Sequence, residues 1–133
     1  MTFSHITIGT DKMNRAMRFY DAVLGTLGLK RHVTAKVAIG YAPQGFAGVN
    51  APFWVVRPHD EKPAAPGNGA MVAFEAQTRA AVDAFHAAAL ANGGSDEGAP
   101  GLRAHYHANY YGAYARDPDG NKLCAVCHRA ESG

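Results

Sequence analysis

Apolar and polar residues alternate with a period of two over His5-Ile-Thr-Ile8, and again over Met71-Val-Ala-Phe74. Such alternation predicts strands with one buried face. Each run is followed by a stretch with a period of about 3.6, the signature of an amphipathic helix. In the first stretch Ala16, Met17, Tyr20, Val23, Leu24 and Leu27 share one stripe; in the second Val82, Phe85 and Ala89 do. Asp11 and Thr78 are candidate N-caps, and Gly28 and the Gly93-Gly94 pair are candidate stops. Strand-like pieces follow each helix, at residues 31–33, 36–41 and 53–56, then at 110–116 and 122–128. Between the last two, Asp117-Pro-Asp-Gly-Asn121 is turn chemistry and predicts a hairpin.

The two halves superpose on each other. A shift of 66 residues lays His5 on Met71, Phe19 on Phe85, Ala22 on Ala88, Leu24 on Leu90 and Gly28 on Gly94. A shift of half the chain length predicts a duplicated unit, with module one at about 1–60 and module two at about 68–130 of a single domain spanning 1–133. The natural linker is 58–69, rich in proline and glycine. Residues 42–52 and 92–101 read as loops. The stretch 92–98 is glycine-rich but acidic and lacks the Lys-Ser/Thr of a phosphate loop, so it reads as a flexible connection.

Composition narrows the classes. A chain of 133 residues, 47% hydrophobic and 18% charged, suffices for one packed domain. A net charge of +2 with scattered Lys and Arg argues against nucleic acid as a partner. No apolar run reaches the roughly 18 residues needed to span a bilayer, and no signal-peptide pattern opens the chain, so a cytoplasmic protein is expected. Cys124 and Cys127 form a Cys-x-x-Cys spacing, but on a strand that spacing points them to opposite faces. No second cysteine pair is present to complete a zinc cluster.

The run His5-Ile-Thr-Ile8, then Phe19-Tyr-Asp-Ala-Val-Leu24 and Leu27-Gly-Leu29, with Arg116-Asp-Pro-Asp-Gly-Asn121 at the far end, resembles the vicinal-oxygen-chelate superfamily of glyoxalases, bleomycin resistance proteins and dioxygenases. The resemblance implies an α+β fold of two tandem βαβββ modules, forming an open, cup-like mixed sheet with helices outside. It also implies a small-molecule ligand, a homodimer with separate or shared cups, and usually a divalent metal (zinc, nickel, manganese or iron). Family metal ligands come from the first and last strands of each module. Those positions fall here on His5, Met71, Cys124 and a residue near Trp54, with His5, Met71 and Cys124 expected to line one cup.

Only His5 suits such a metal. A thioether is a soft donor, and a cysteine binds only as thiolate. The reading is therefore a degraded metal site and no cofactor, with a His-Met-Cys copper site lacking a second histidine. In that case His5 or His107 would act as general base and Tyr110 as proton donor. Tyr41, Trp54, Arg57, Met71, His105, Tyr111 and Cys124 would bind substrate. An extended run at 105–111 would put His105 and His107 on one face. The plainer alternatives are that Tyr41 and Trp54 belong to the core, that Met71 and Cys124 fill space, that His5 is a hydrogen-bonded pocket residue, and that 105–111 is a surface loop. Two functions follow: a glyoxalase-like lyase, isomerase or oxygenase acting on a small oxygenated molecule, or a metal-free binder of antibiotics or aromatic compounds of the bleomycin-resistance type.

Overall fold

A computed structural model describes residues 2–131. The elements run β1 (Ile6–Gly9), α1 (Met13–Gly25), β2 (Leu29–Thr34), β3 (Ala38–Pro43), β4 (Phe53–Val56), then β5 (Val72–Glu75), α2 (Arg79–Ala91), β6 (Ser95–Leu102), β7 (Tyr111–Arg116) and β8 (Lys122–Cys127). The 66-residue offset carries β1 onto β5 and α1 onto α2 end to end. Each module is an open four-stranded mixed sheet with the same order, β1-β4-β3-β2 and β5-β8-β7-β6, in which only the first and last strands run parallel. The fold is thus the α+β pair of βαβββ modules that the family resemblance implied.

Several local expectations are corrected. Thr78 caps α2 by accepting the N–H of Ala81 at 3.1 Å, a bond of the kind that contributes about 1 kcal/mol. Asp11 does not cap α1; its carboxylate instead accepts the N–H of Ala64 in the linker, and Thr10 Oγ1 takes the N–H of Lys12. The stretch read as a flexible connection is largely strand β6. Its register shifts between Asp96 and Gly98 and again between Gly98 and Gly101, so no two-residue alternation survives in the sequence. It is an edge strand, where Pro100 is tolerated because its missing N–H leaves no partner waiting. Residues 103–110 are not extended but turned, with Tyr106 N–H bonded to Arg103 O and Tyr110 N–H to His107 O. His105 and His107 therefore do not alternate along a strand.

The register sorts side chains by face. Ile39, Tyr41, Phe53 and Val55 in module one, and Phe74, Ala113, Ala115, Leu123, Ala125 and Cys127 in module two, lie on the helix-bearing faces. These faces meet in one core. Phe53 packs edge-on against Phe74 with ring centroids 5.1 Å apart, and Phe19, Tyr20, Val23, Val82 and Phe85 are buried in the same cluster. The opposite faces, each with its helix on the far side, are consequently turned away from the shared core. Cys124 and Cys127 fall on opposite faces, as the strand period required.

The Asp117–Asn121 turn joins the modules. Buried Asp117 accepts from Tyr20 Oη at 2.5 Å and from the N–H groups of Asp119 and Asn121. Asp119 accepts from Thr10 Oγ1 at 2.6 Å and from Arg15 at 2.8 Å, while Asn121 donates to the carbonyl of Gly9. Burial, and then the Asp117 charge, push the Tyr20 hydroxyl well above its usual range, so it remains a donor.

Candidate functional site

Sheet pairing settles the register that sequence left open. Thr7 pairs with Trp54 in module one as Ala73 pairs with Cys124 in module two, so Trp54 is the counterpart of Cys124. Around each the neighbours are exchanged. Trp54 lies across Gly40, where a Cβ would sit 3.0 Å from the indole, and its ring N–H donates to Ala51 O. Cys124 is small, and its cross-strand neighbour is Tyr114.

Module two carries a polar cluster on this face. Tyr110 Oη lies 2.8 Å from Tyr114 Oη and 3.7 Å from Cys124 Sγ. Gly112 makes room for it, since a Cβ there would come within 2.8 Å of the Tyr110 ring. Desolvation raises all three groups, and the bonds among them raise Tyr110 further, so both phenols and the thiol stay protonated. Arg103 and Lys122 stand over the Tyr114 ring at 5.5 and 5.6 Å from its centroid. Arg103 is held by the carbonyls of Ala99 and Gly101. Above the cluster opens a hollow of about 570 Å³, walled by Met71, Tyr106, Tyr110, Tyr114, Lys122 and Asn68 among others, with no residue from module one. Its rim is apolar and open: Met71 is 44% exposed and Tyr106 60%.

The histidines are engaged elsewhere. His107 Nδ1 accepts the N–H of Asn109 at 3.2 Å, which leaves the ring proton on Nε2, 2.8 Å from Nδ1 of His128. Both nitrogens of His107 are therefore spent, and its ring stacks on that of His128 beside Tyr110. His5 Nδ1 faces Ser4 Oγ at 2.9 Å and the amide nitrogen of Asn50 at 3.1 Å, and His5 does not line the hollow. His105 lies against Tyr106.

Of the other expected site residues, Met71 lines the hollow, whereas Cys124 is buried and does not line it, contacting the lining residue Tyr110. Tyr41 and Tyr111 belong to the helix side instead. Tyr41 is buried and donates to Asp21 of α1, and Tyr111 donates to Asp83 of α2. Arg57 borders a separate hollow of about 580 Å³ with Val37, His59 and Lys62. Tyr114 and Lys122 were missed, yet counting outward from the Asp117–Asn121 turn pairs Arg116 with Lys122 and Tyr114 with Cys124.

The four family ligand positions hold His5, Trp54, Met71 and Cys124, and they do not fit a zinc, nickel, manganese or iron ion. An indole N–H that donates to a carbonyl offers no lone pair, the thioether is soft, and burial holds the Cys124 thiol in its protonated form. Among the described residues no group of three or more His, Cys, Asp or Glu side chains could hold a metal ion.

Residues 2–125 match the family model of the Glyoxalase/Bleomycin resistance protein/Dioxygenase superfamily. The chain belongs to that family. It is 40% identical to a glyoxalase/bleomycin resistance protein from Albidiferax ferrireducens T118, whose crystal structure superposes with a TM-score of 0.84 over 98% of this chain and 100% of that one. A glyoxalase-related enzyme from Fulvimarina pelagi shares the fold at 19% identity, TM-score 0.71, over 96% of this chain and 88% of that one. So does the fosfomycin resistance protein FosX from Mesorhizobium loti, at 16% identity, TM-score 0.64, over 94% and 90%. No curated protein matches the chain in sequence. No helix among the described residues is long and apolar enough to cross a membrane.

Proposed function

We propose that the protein binds a small organic molecule without a metal, on the Tyr110–Tyr114–Cys124 face of module two. The observation that carries this reading is the state of the polar groups around the hollow. The phenols and thiol are donors held neutral, while His107 has both ring nitrogens occupied and offers no lone pair to a substrate proton. A site with donors and no free base favours binding over proton abstraction. Apolar walls with a few placed polar groups are the usual make-up of a small-molecule site.

The exposed Met71 and Tyr106 on the rim support a homodimer in which a second copy covers the hollow. Sedimentation giving the mass of one chain counts against this part.

The test of binding is a thermal-shift screen of small aromatic compounds with and without EDTA, beside metal analysis of the purified protein. Stabilisation that survives EDTA is expected. Gly112→Ala, which wedges a methyl under the Tyr110 ring and displaces it, is expected to abolish that stabilisation and to lower the unliganded melting temperature by several degrees. Stoichiometric metal, with stabilisation lost on chelation, overturns the reading. The lyase, isomerase or oxygenase reading, with His5, His107 and Tyr110 in catalytic roles, would then replace it.

A further inference from the structure

A cation on the wall of the hollow sets the chemistry of its ligand. Tyr110, Tyr114 and Cys124 are bonded among themselves, Tyr110 to Tyr114 and Tyr110 to Cys124. Lys122 adds a cation that, among the described residues, forms no ion pair or hydrogen bond and only faces the Tyr114 ring. The other cation lining the hollow, Arg116, is neutralised by Glu97 and also donates to Gly120 O. No carboxylate lines the hollow, so the charge left on its wall is positive. An ammonium with no partner among the described residues is available to an anionic group, and such charge-assisted bonds are the strong ones.

Resting on the binding reading above, we propose that the ligand is a small planar aromatic carboxylate. Its carboxylate takes the Lys122 ammonium, and its ring lies against Tyr106, Tyr110 and the Met71 thioether. Tyr106 and Tyr110 already sit with centroids 4.8 Å apart, which gives a flat ring an edge-and-face wall. The thioether adds a polarizable contact of the sort sulfur makes with aromatic edges.

Three probes of one shape and different charge separate the possibilities: benzoate, benzamide and benzamidine, titrated by calorimetry into the intact protein. Benzoate is expected to bind about tenfold or more tightly than the other two, the difference a charge-assisted hydrogen bond supplies. Lys122→Gln should remove that preference and Lys122→Arg restore most of it. If benzamide or benzamidine binds as well as benzoate, or if Lys122→Gln leaves benzoate binding unchanged, the ligand class is wrong while the binding reading stands. Absence of binding by all three overturns the ligand class too. The binding reading falls with it only when the wider aromatic screen also gives no stabilisation.

Discussion

The two modules share a fold down to strand order, yet at matched positions they spend their side-chain volume in opposite ways. In module one the last strand carries the large residue, Trp54, and its neighbour is Gly40; in module two the last strand carries Cys124 and the neighbour is Tyr114. Total bulk is roughly preserved, so either face packs. The consequence differs: an indole tied to Ala51 O closes module one, whereas phenols and a thiol leave module two lined with donors. Duplication thus supplied two copies of a frame, and one exchange of large for small residues decided which became polar. The same inversion appears at the helix-to-strand ties. Asp21 on α1 holds Arg31 of β2, while in module two the carboxylate is on the strand, Asp96 of β6, and His86 on α2 is its partner at 2.8 Å.

The comparison can be broken hardest at the glycines that follow the helices. Gly28 adopts φ +79° in open space, whereas at Gly94 a Cβ would fall 2.5 Å from Arg116 O and 2.7 Å from Ala89 O. Gly94→Ala should therefore cost about 3 kcal/mol as overpacking against backbone, and Gly28→Ala about 1 kcal/mol as conformational strain. Urea unfolding of both variants checks this, and equal losses would mean that the two helix ends are alike after all.

Next in size is the bond between modules. Tyr20→Phe removes one of the bonds to buried Asp117 and should cost about 2 kcal/mol. Tyr41→Phe should cost less, about 1 kcal/mol, because Asp21 keeps both bonds from Arg31. A Tyr41→Phe loss that matched or exceeded the Tyr20→Phe loss would show that the turn contributes little.

The smallest expected effect is on acid stability. The bond to His86, followed by the N–H of Gly98, lowers the pKa of Asp96. A carboxyl lowered on folding stabilises the protein above its unfolded value, about 3.9, and loses that contribution as pH falls through the lower folded value. The melting temperature of the wild type should thus drop further than that of Asp96→Asn between pH 5 and pH 3, by a modest margin because Asp96 is exposed. Parallel acid limbs would remove the tie.

Much of this was legible before any coordinates. The paired first strands and both helices follow from their periods, and the final hairpin from its Asp-Pro-Asp-Gly-Asn turn, although β8 is buried on both faces. Strand β6 was not legible, since its bulges erase alternation and its Gly and Pro residues resemble a loop. For Tyr41 the sequence left pocket and core both open, and its burial with a bond to Asp21 places it in the core. Of the cluster, Cys124 and Tyr110 were within reach from sequence. Tyr114 and Lys122 required counting across the hairpin, and the turned course of residues 103–110, which brings Tyr106 to the hollow and Arg103 over the Tyr114 ring, has no periodic signature at all.

The turn at Asp117–Asn121 also has a kinetic side. The bonds from Tyr20, Arg15 and Thr10 to this turn, and from Asn121 back to Gly9, span 97, 104, 109 and 112 residues. Contacts of such separation form late, because chain ends must meet before any reward is felt. On a ribosome, the start of α1 emerges long before its partners and waits, its tyrosine hydroxyl solvated, for the last hairpin to arrive. Module one can collapse early, but it reaches its finished form only when nearly the whole chain has been made.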